Sequence, residues 1–178
     1  ARARAHGLRL VARRGLGAAR RRGLRERLPG RPQGAARAGP RRRALADHGL
    51  EMRPEWLVET PYRLDDARPA ARKLLMLDES PTAVLCGNDV LAYGVLLEAE
   101  RRGLHVPKDL SVMGFDDLEW SRHLRPSLTT MHLPTDEIWT RAGEYLVRTL
   151  GDQPAVHHHE VDASVVVRES TAGPGAKK

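Results

Sequence analysis

The sequence predicts an α/β fold in which a parallel sheet is flanked by helices, and three observations carry that expectation. Short apolar runs recur at 55–60 (EWLVET), 82–86 (TAVLC) and 110–115 (LSVMGF). Helical stretches separate them, and the runs are apolar along their length instead of alternating, as in strands covered on both faces. The elements follow in order. Residues 44–48 read as the end of a helix stopped by Gly49. Residues 64–77 read as a helix with Asp65 and Asp66 in its first turn, Pro69 early in it, and Leu74, Leu75 and Leu77 as apolar surface. Asn88 caps a helix running to Arg102, and Gly103 ends it. A strand is expected at 128–132, a helix at 135–150 and a closing strand at 161–167. In the 135–150 helix Ile138, Ala142, Tyr145, Leu146 and Thr149 share one face.

Composition divides the chain. The net charge of the 178 residues is +7, but residues 1–43 hold 15 Arg, no Lys and a single acid, Glu26, for a net of +14. Residues 44–178 are therefore acidic, at −7. The first segment is dominated by Arg, Ala, Gly and Pro, and no period organises its few large apolar residues, so it is expected to lack a core of its own. It reads as low-complexity sequence or as GC-rich codons read out of frame. An arginine-rich nucleic-acid arm is the rival reading, weakened because no aromatic precedes Trp56 to stack on bases. Residues 44–172 carry the fold, and 173–178 form a Gly/Pro/Lys tail.

Several function classes recede. No run approaches the roughly 18 apolar residues of a spanning helix. The start has no apolar stretch followed by small residues, so it does not read as a secretory signal. Cys86 is the only cysteine, which excludes an internal disulfide and a Cys-based zinc cluster, and a cytoplasmic setting is expected. Cys86 itself reads as a small core residue. His157, His158 and His159 beside Glu160 suggest metal, but adjacent histidines in a strand face opposite ways, so no metal site is expected. No serine has a convincing base and orienting acid, and no enzyme or cofactor is expected.

In an open α/β sheet ligands bind beyond the carboxyl ends of the strands. The residues there are Thr60, Pro61 and Tyr62, then Gly87, Asn88 and Asp89, then Asp116 and Asp117. An aromatic face, an amide and carboxylates on neighbouring strand ends suit a hydroxylated neutral guest. Phosphate would call for a Gly-rich loop with Lys or Arg, which is missing. Each residue has a plainer role open to it: Asn88 as a helix cap, Asp89 as a first-turn acid, Asp117 as a structural carboxylate. Asp89 or Asp116 with Mg²⁺ in a small hydrolase is a further alternative, without a nucleophile or basic partner to support it.

Four segments, at 81–94 (PTAVLCGNDVLAYG), 103–117 (GLHVPKDLSVMGFDD), 125–130 (RPSLTT) and 167–171 (VREST), are together similar to the signatures of the LacI/GalR family of transcription regulators. The resemblance covers 44–172 and implies a type I periplasmic-binding-protein-like core, here partial and mainly its C-terminal lobe. It assigns 44–127 to that lobe, 128–150 to a crossover and a helix of the other lobe, and 151–172 to the return. It also implies a sugar or small-metabolite effector bound between the lobes, with Asn88, Asp89, Asp116 and Tyr62 at or near ligand positions. Arg37 is the candidate for the ligand-binding arginine, although Pro40 stands where the family has an aromatic and Leu133 where it often has Gln. Tyr93 and Leu124 match surfaces of a homodimer. DNA would be read only through a helix-turn-helix ahead of the core, which this sequence lacks, as it lacks most of the first lobe. A periplasmic sugar-binding protein of the same fold is the nearest alternative. With half the cleft missing, weak effector binding is expected, along with apolar surface left open at Ile138, Tyr145 and Leu146.

Overall fold

The structure, a computed structural model, describes residues 7–11, 45–50, 53–151 and 160–173. Its main sheet has four parallel strands in the order β2-β1-β3-β4: β1 (Gly7–Val11), β2 (Leu57–Glu59), β3 (Ala83–Cys86) and β4 (Ser111–Met113). A fifth strand, β5 (Thr130–His132), continues it through parallel bridges Met113↔Thr129 and Asp116↔His132. The last strand, β6 (Ser164–Val166), runs antiparallel on β5. Three helices follow β2, β3 and β5: α1 (Leu64–Leu75), α2 (Asp89–Arg101) and α3 (Thr135–Leu150).

One strand departs from the sequence-based expectation. Residues 1–43 promise no strand, yet the backbone of Gly7–Val11 pairs with β2 on one side and β3 on the other. A five-residue Gly-Leu-Arg-Leu-Val stretch is too short to show a period amid Arg and Ala, and its pairing partners lie far along the chain. The ends of β2 and β3 are consequently not neighbours, as the sequence reading had them; β1 lies between.

Smaller departures have local causes. The run at 55–60 is strand only over Leu57–Glu59, because Pro54–Trp56 forms a 3-10 turn. That turn buries Trp56, whose Nε1 donates to the Glu79 carbonyl at 3.0 Å while the Arg53 guanidinium covers the ring at 5.2 Å. Pro69 lies early in α1, as expected, at its sixth position. The helix survives this because Ala67, Ala70, Ala71 and Leu74, at i, i+3, i+4 and i+7, bury a continuous stripe.

The two central helices begin and end as their sequences dictate. Asn88 Oδ1 accepts the Leu91 N–H at 2.9 Å, and Gly103, at φ 70°, closes α2 with Leu104 N–H bonding back to the Ala99 carbonyl. Between them the core fills with Leu91, Ala92, Val95 and Ala99 of α2, the Ala stripe of α1, and Val84, Cys86 and Val112 of the sheet. Burial pushes the Cys86 thiol far up, in keeping with a packing role. In α3 no residue is buried: Ile138 and Tyr145 are half-covered, while Trp139, Leu146, Val147 and Leu150 are exposed. Among the described residues no helix is long and apolar enough to cross a membrane.

The close approach of α1 and α2 rests on Gly94. A Cβ there would overlap the Ala67 methyl and lie 3.2 Å from the backbone of Ala67 and Arg68. Helix propensity favours Ala over Gly by about 1 kcal/mol, but rigid backbone cannot retreat, so overlap decides the sign. Gly94→Ala is expected to destabilise the fold by about 2 kcal/mol, read as a lower urea midpoint with an unchanged slope. A midpoint that stays or rises would show that the helices are not packed this closely.

Candidate functional site

Parallel register sets where the loops emerge. Leu10 faces Cys86, Val11 faces Glu59, and Leu85 faces Met113, so the carboxyl ends of β1 to β4 lie along one edge, joined by the end of β5. Asn88 and Asp116 each follow a residue of the Leu85↔Met113 pair by three positions, on adjacent strands. The structure therefore brings these two together. Tyr62 shares the edge but follows the outer strand β2, with β1 intervening, and it is half-buried against the core.

Asn88 spends its amide oxygen on the cap of α2, and its Nδ2 has no hydrogen-bond partner among the described residues. Asp116 is half-buried with its N–H donating to the Met131 carbonyl at 2.9 Å. Its φ is 115° and that of Asp117 is 53°. Two consecutive non-glycine residues at positive φ cost conformational energy that the surrounding bridges must hold.

Asp117 is committed to the structure. Its Oδ1 accepts from Arg168 Nη2 at 2.7 Å and its Oδ2 from His132 Nδ1 at 3.0 Å. Burial raises its pKa, but the Arg168 and His132 hydrogen bonds and charges outweigh that and hold the carboxyl below its usual range. His132 is half exposed at the carboxyl end of β5, with its ring oriented by this carboxylate.

Asp89 is a correction. The sequence reading places it among the ligand residues, yet it is 0% exposed and fully occupied. Oδ2 accepts from the Leu118 N–H at 2.7 Å and the Ser121 hydroxyl at 2.6 Å, and Oδ1 accepts from the Thr130 hydroxyl at 2.5 Å. Gly114 leaves the space, since a Cβ there would overlap Asp89 Oδ1. Asp89 thus ties α2 to the 118–121 turn and to β5, and no oxygen is left for a guest.

A second polar node passed unnoticed in the sequence. Ser170, fully buried, donates its hydroxyl to the Val112 carbonyl at 2.6 Å and accepts the Thr129 N–H at 2.8 Å, sealing the gap between β4 and β5. Arg168 beside it also donates to the Leu128 carbonyl at 2.8 Å. The VREST motif held these residues, but their partners, some 40 residues or more away, leave no local trace.

Tyr93 and Leu124, singled out separately, line one apolar groove of about 540 Å³ with Leu96, Leu97, Leu104 and Trp120. Trp120 is 70% exposed there. Tyr93 donates to Ser121 Oγ at 2.9 Å, because the Ser121 proton already goes to Asp89. Arg37 and the 157–159 histidines lie outside the described residues. Among the described residues no group of three or more His, Cys, Asp or Glu could hold a metal ion.

Comparison with known proteins defines the class. The family model for a periplasmic binding protein-like domain matches residues 15–171. The chain belongs to that family, in the form that serves LacI/GalR-type regulators as an effector-binding core. Among relatives, it is similar to the HTH-type transcriptional repressor PurR of Aliivibrio salmonicida, 33% identical over 132 residues, 72% of this chain and 39% of that protein. It is also similar to PurR of Aliivibrio fischeri strain MJ11, 37% identical over 131 residues, with the same coverage. The chain thus spans about two fifths of the length of these curated relatives. Among solved structures, transcription regulator CcpA of Lactococcus lactis superposes with a TM-score of 0.77 at 17% identity, over 94% of this chain and 56% of that one. A LacI family regulator from Arthrobacter sp. FB24, complexed with lactose, gives 0.71 at 29% identity, over 95% and 59%.

The Asp89 assignment yields a sharp expectation. Asp89→Asn replaces one acceptor oxygen with an N–H pair facing the Leu118, Ser121 and Thr130 donors, and should lower stability by about 3 kcal/mol, measured by denaturant unfolding. A ligand-only residue would leave the midpoint in place.

Proposed function

We propose that this chain is part of the effector-binding and dimerisation core of a LacI-type, DNA-binding transcriptional regulator, acting as a repressor. The observation that carries the reading is the meeting of Asn88 and Asp116 on adjacent strand ends, with Asn88 Nδ2 uncommitted and Asp116 on a strained turn. A carboxylate and an amide donor so placed suit the hydroxyls of a sugar or a similarly polar small metabolite. The similarity to a lactose-bound regulator supports the same class of effector. The role is recognition and not catalysis. In this reading residues 44–127 form one wall of the cleft, 128–150 cross to the other lobe and 151–172 return. DNA is bound through a helix-turn-helix of the whole regulator, which works in the cytoplasm as a homodimer. The exposed apolar residues of α3, Trp139 and Leu146 among them, then face the other lobe of the whole regulator.

Effector affinity of the chain alone is expected to be millimolar or weaker, because one wall supplies only part of the contacts. Titration with lactose or cellobiose, followed by amide NMR, should shift Asn88 and Asp116 first. Micromolar affinity by calorimetry would contradict the half-cleft, and shifts confined to other residues would remove these two from the site.

The apolar groove of Tyr93 and Leu124 is the proposed homodimer surface, since Trp120 and Leu97 stand exposed beside it. Sedimentation should show a self-associating chain, and Leu124→Asp should weaken association by about 2 kcal/mol, roughly 30-fold. Unchanged association in that variant would place the interface elsewhere.

A further inference from the structure

A second polar pocket lies far from the strand ends. Arg72 in the last turn of α1, Glu98 and Arg101 in the last turns of α2, and Arg102 at its C-cap line a cavity of about 330 Å³. Asn88 stands at the opposite end of α2, roughly 20 Å away along a helix of 13 residues.

The chemistry of this pocket is unfinished in a specific way. Glu98 is 1% exposed, covered by the arginines themselves. Its Oε1 accepts from Arg72 Nε at 3.1 Å and Arg102 Nε at 3.2 Å. Its Oε2 is buried with no hydrogen-bond partner, and Arg101 Nη1 stands 4.0 Å off, beyond hydrogen-bond reach. Burial raises the Glu98 pKa, but the bonds from Arg72 and Arg102 and the nearby charges outweigh this and keep the carboxyl low, hence ionised. Arg72 and Arg102 turn only their Nε toward Glu98, so their terminal nitrogens have no partner among the described residues. The pocket thus offers three guanidinium groups with donors to spare and one carboxylate oxygen that lacks a donor.

We propose that this pocket binds hydrogen phosphate, an anion whose unprotonated oxygens accept from Arg72, Arg101 and Arg102 while its P–O–H donates to Glu98 Oε2. The charges match: three cations and one carboxylate leave +2, which a dianion neutralises. The carboxyl ends of α1 and α2 each oppose an anion by about half a charge, too little to reverse the sign. The lone acceptor sets the selectivity. Sulfate has the same size and charge but no proton at neutral pH, so one of its oxygens would meet Glu98 Oε2 lone pair to lone pair. Hydrogen phosphate satisfies every group. A phosphate monoester carries a P–O–H only as its monoanion, which offsets one of the two positive charges, so the site favours free hydrogen phosphate over a monoester.

Calorimetric titration of the full chain at pH 7 and constant ionic strength, with potassium phosphate, methyl phosphate and potassium sulfate in separate runs, tests the assignment. Inorganic phosphate should bind at least about tenfold tighter than sulfate. Methyl phosphate separates the two sources: its dianion has no P–O–H and should bind more weakly than inorganic phosphate, whereas equal binding would show that the donation to Glu98 Oε2 does not form. Arg101→Gln, which removes no hydrogen bond of the fold, should reduce phosphate binding at least about tenfold, whereas Arg148→Gln on α3 should leave it unchanged. Glu98→Gln supplies an amide donor and should narrow the phosphate-over-sulfate preference; if that variant does not fold, the Arg101→Gln and sulfate comparisons still decide. Equal affinity for the two anions, no phosphate binding, or binding indifferent to Arg101 overturns the proposal.

Discussion

A carboxylate cut off from water is costly unless it is hydrogen-bonded, and both oxygens of Asp89 receive donors, from two separate elements. The Leu118 N–H and the Ser121 hydroxyl come from the turn after β4, and the Thr130 hydroxyl from β5. Because Asp89 opens α2, this one side chain sets where that helix starts relative to the sheet edge. Asn88 stands one residue before it, the Tyr93–Ser121 contact hangs from it, and Gly114 is bare to admit it. Thr130, with its proton given to Asp89, accepts the Asp117 N–H, which helps hold the two strained aspartates. The candidate cleft and the apolar groove are thus both referenced to a single buried side chain.

What could be read in the sequence is what local chemistry determines. The limits of α2 were legible because Asn88 can cap and Gly103 can adopt positive φ, and α3 was legible from its acidic start and periodic face. The pairing of Asn88 and Asp116 followed from the general rule for strand ends. The illegible parts depend on distant partners. β1 is a strand because β2 and β3 flank it, not because Gly-Leu-Arg-Leu-Val demands it. Asp89 looked like a site residue because a carboxylate after a strand is ambiguous until its donors, 29 to 41 residues away, are located. Arg168 and His132 escaped notice for the same reason.

The sheet separates its two polar ends by charge. At the carboxyl edge stand Asn88, Asp116, Asp117 and His132, and the guanidinium of Arg168 is bound there to Asp117. At the far end of α2 the guanidinium groups of Arg72, Arg101 and Arg102 surround Glu98. Arginine in the last turn of a helix complements the helix dipole, and here it also covers a carboxylate that α2 would otherwise expose. Each end therefore favours a different kind of guest, and one helix connects them.

The seam that Ser170 closes has a kinetic meaning. Its hydroxyl bonds Val112, 58 positions earlier, and receives Thr129 from 41 positions earlier. Neither contact can form from neighbouring chain, so the β4–β5 join waits on closure of long loops, whose entropic cost grows only slowly with length but must be met before the bonds repay it. Assembly of this region therefore depends on contacts distant in sequence, whereas the hydrogen bonds of the helices are local.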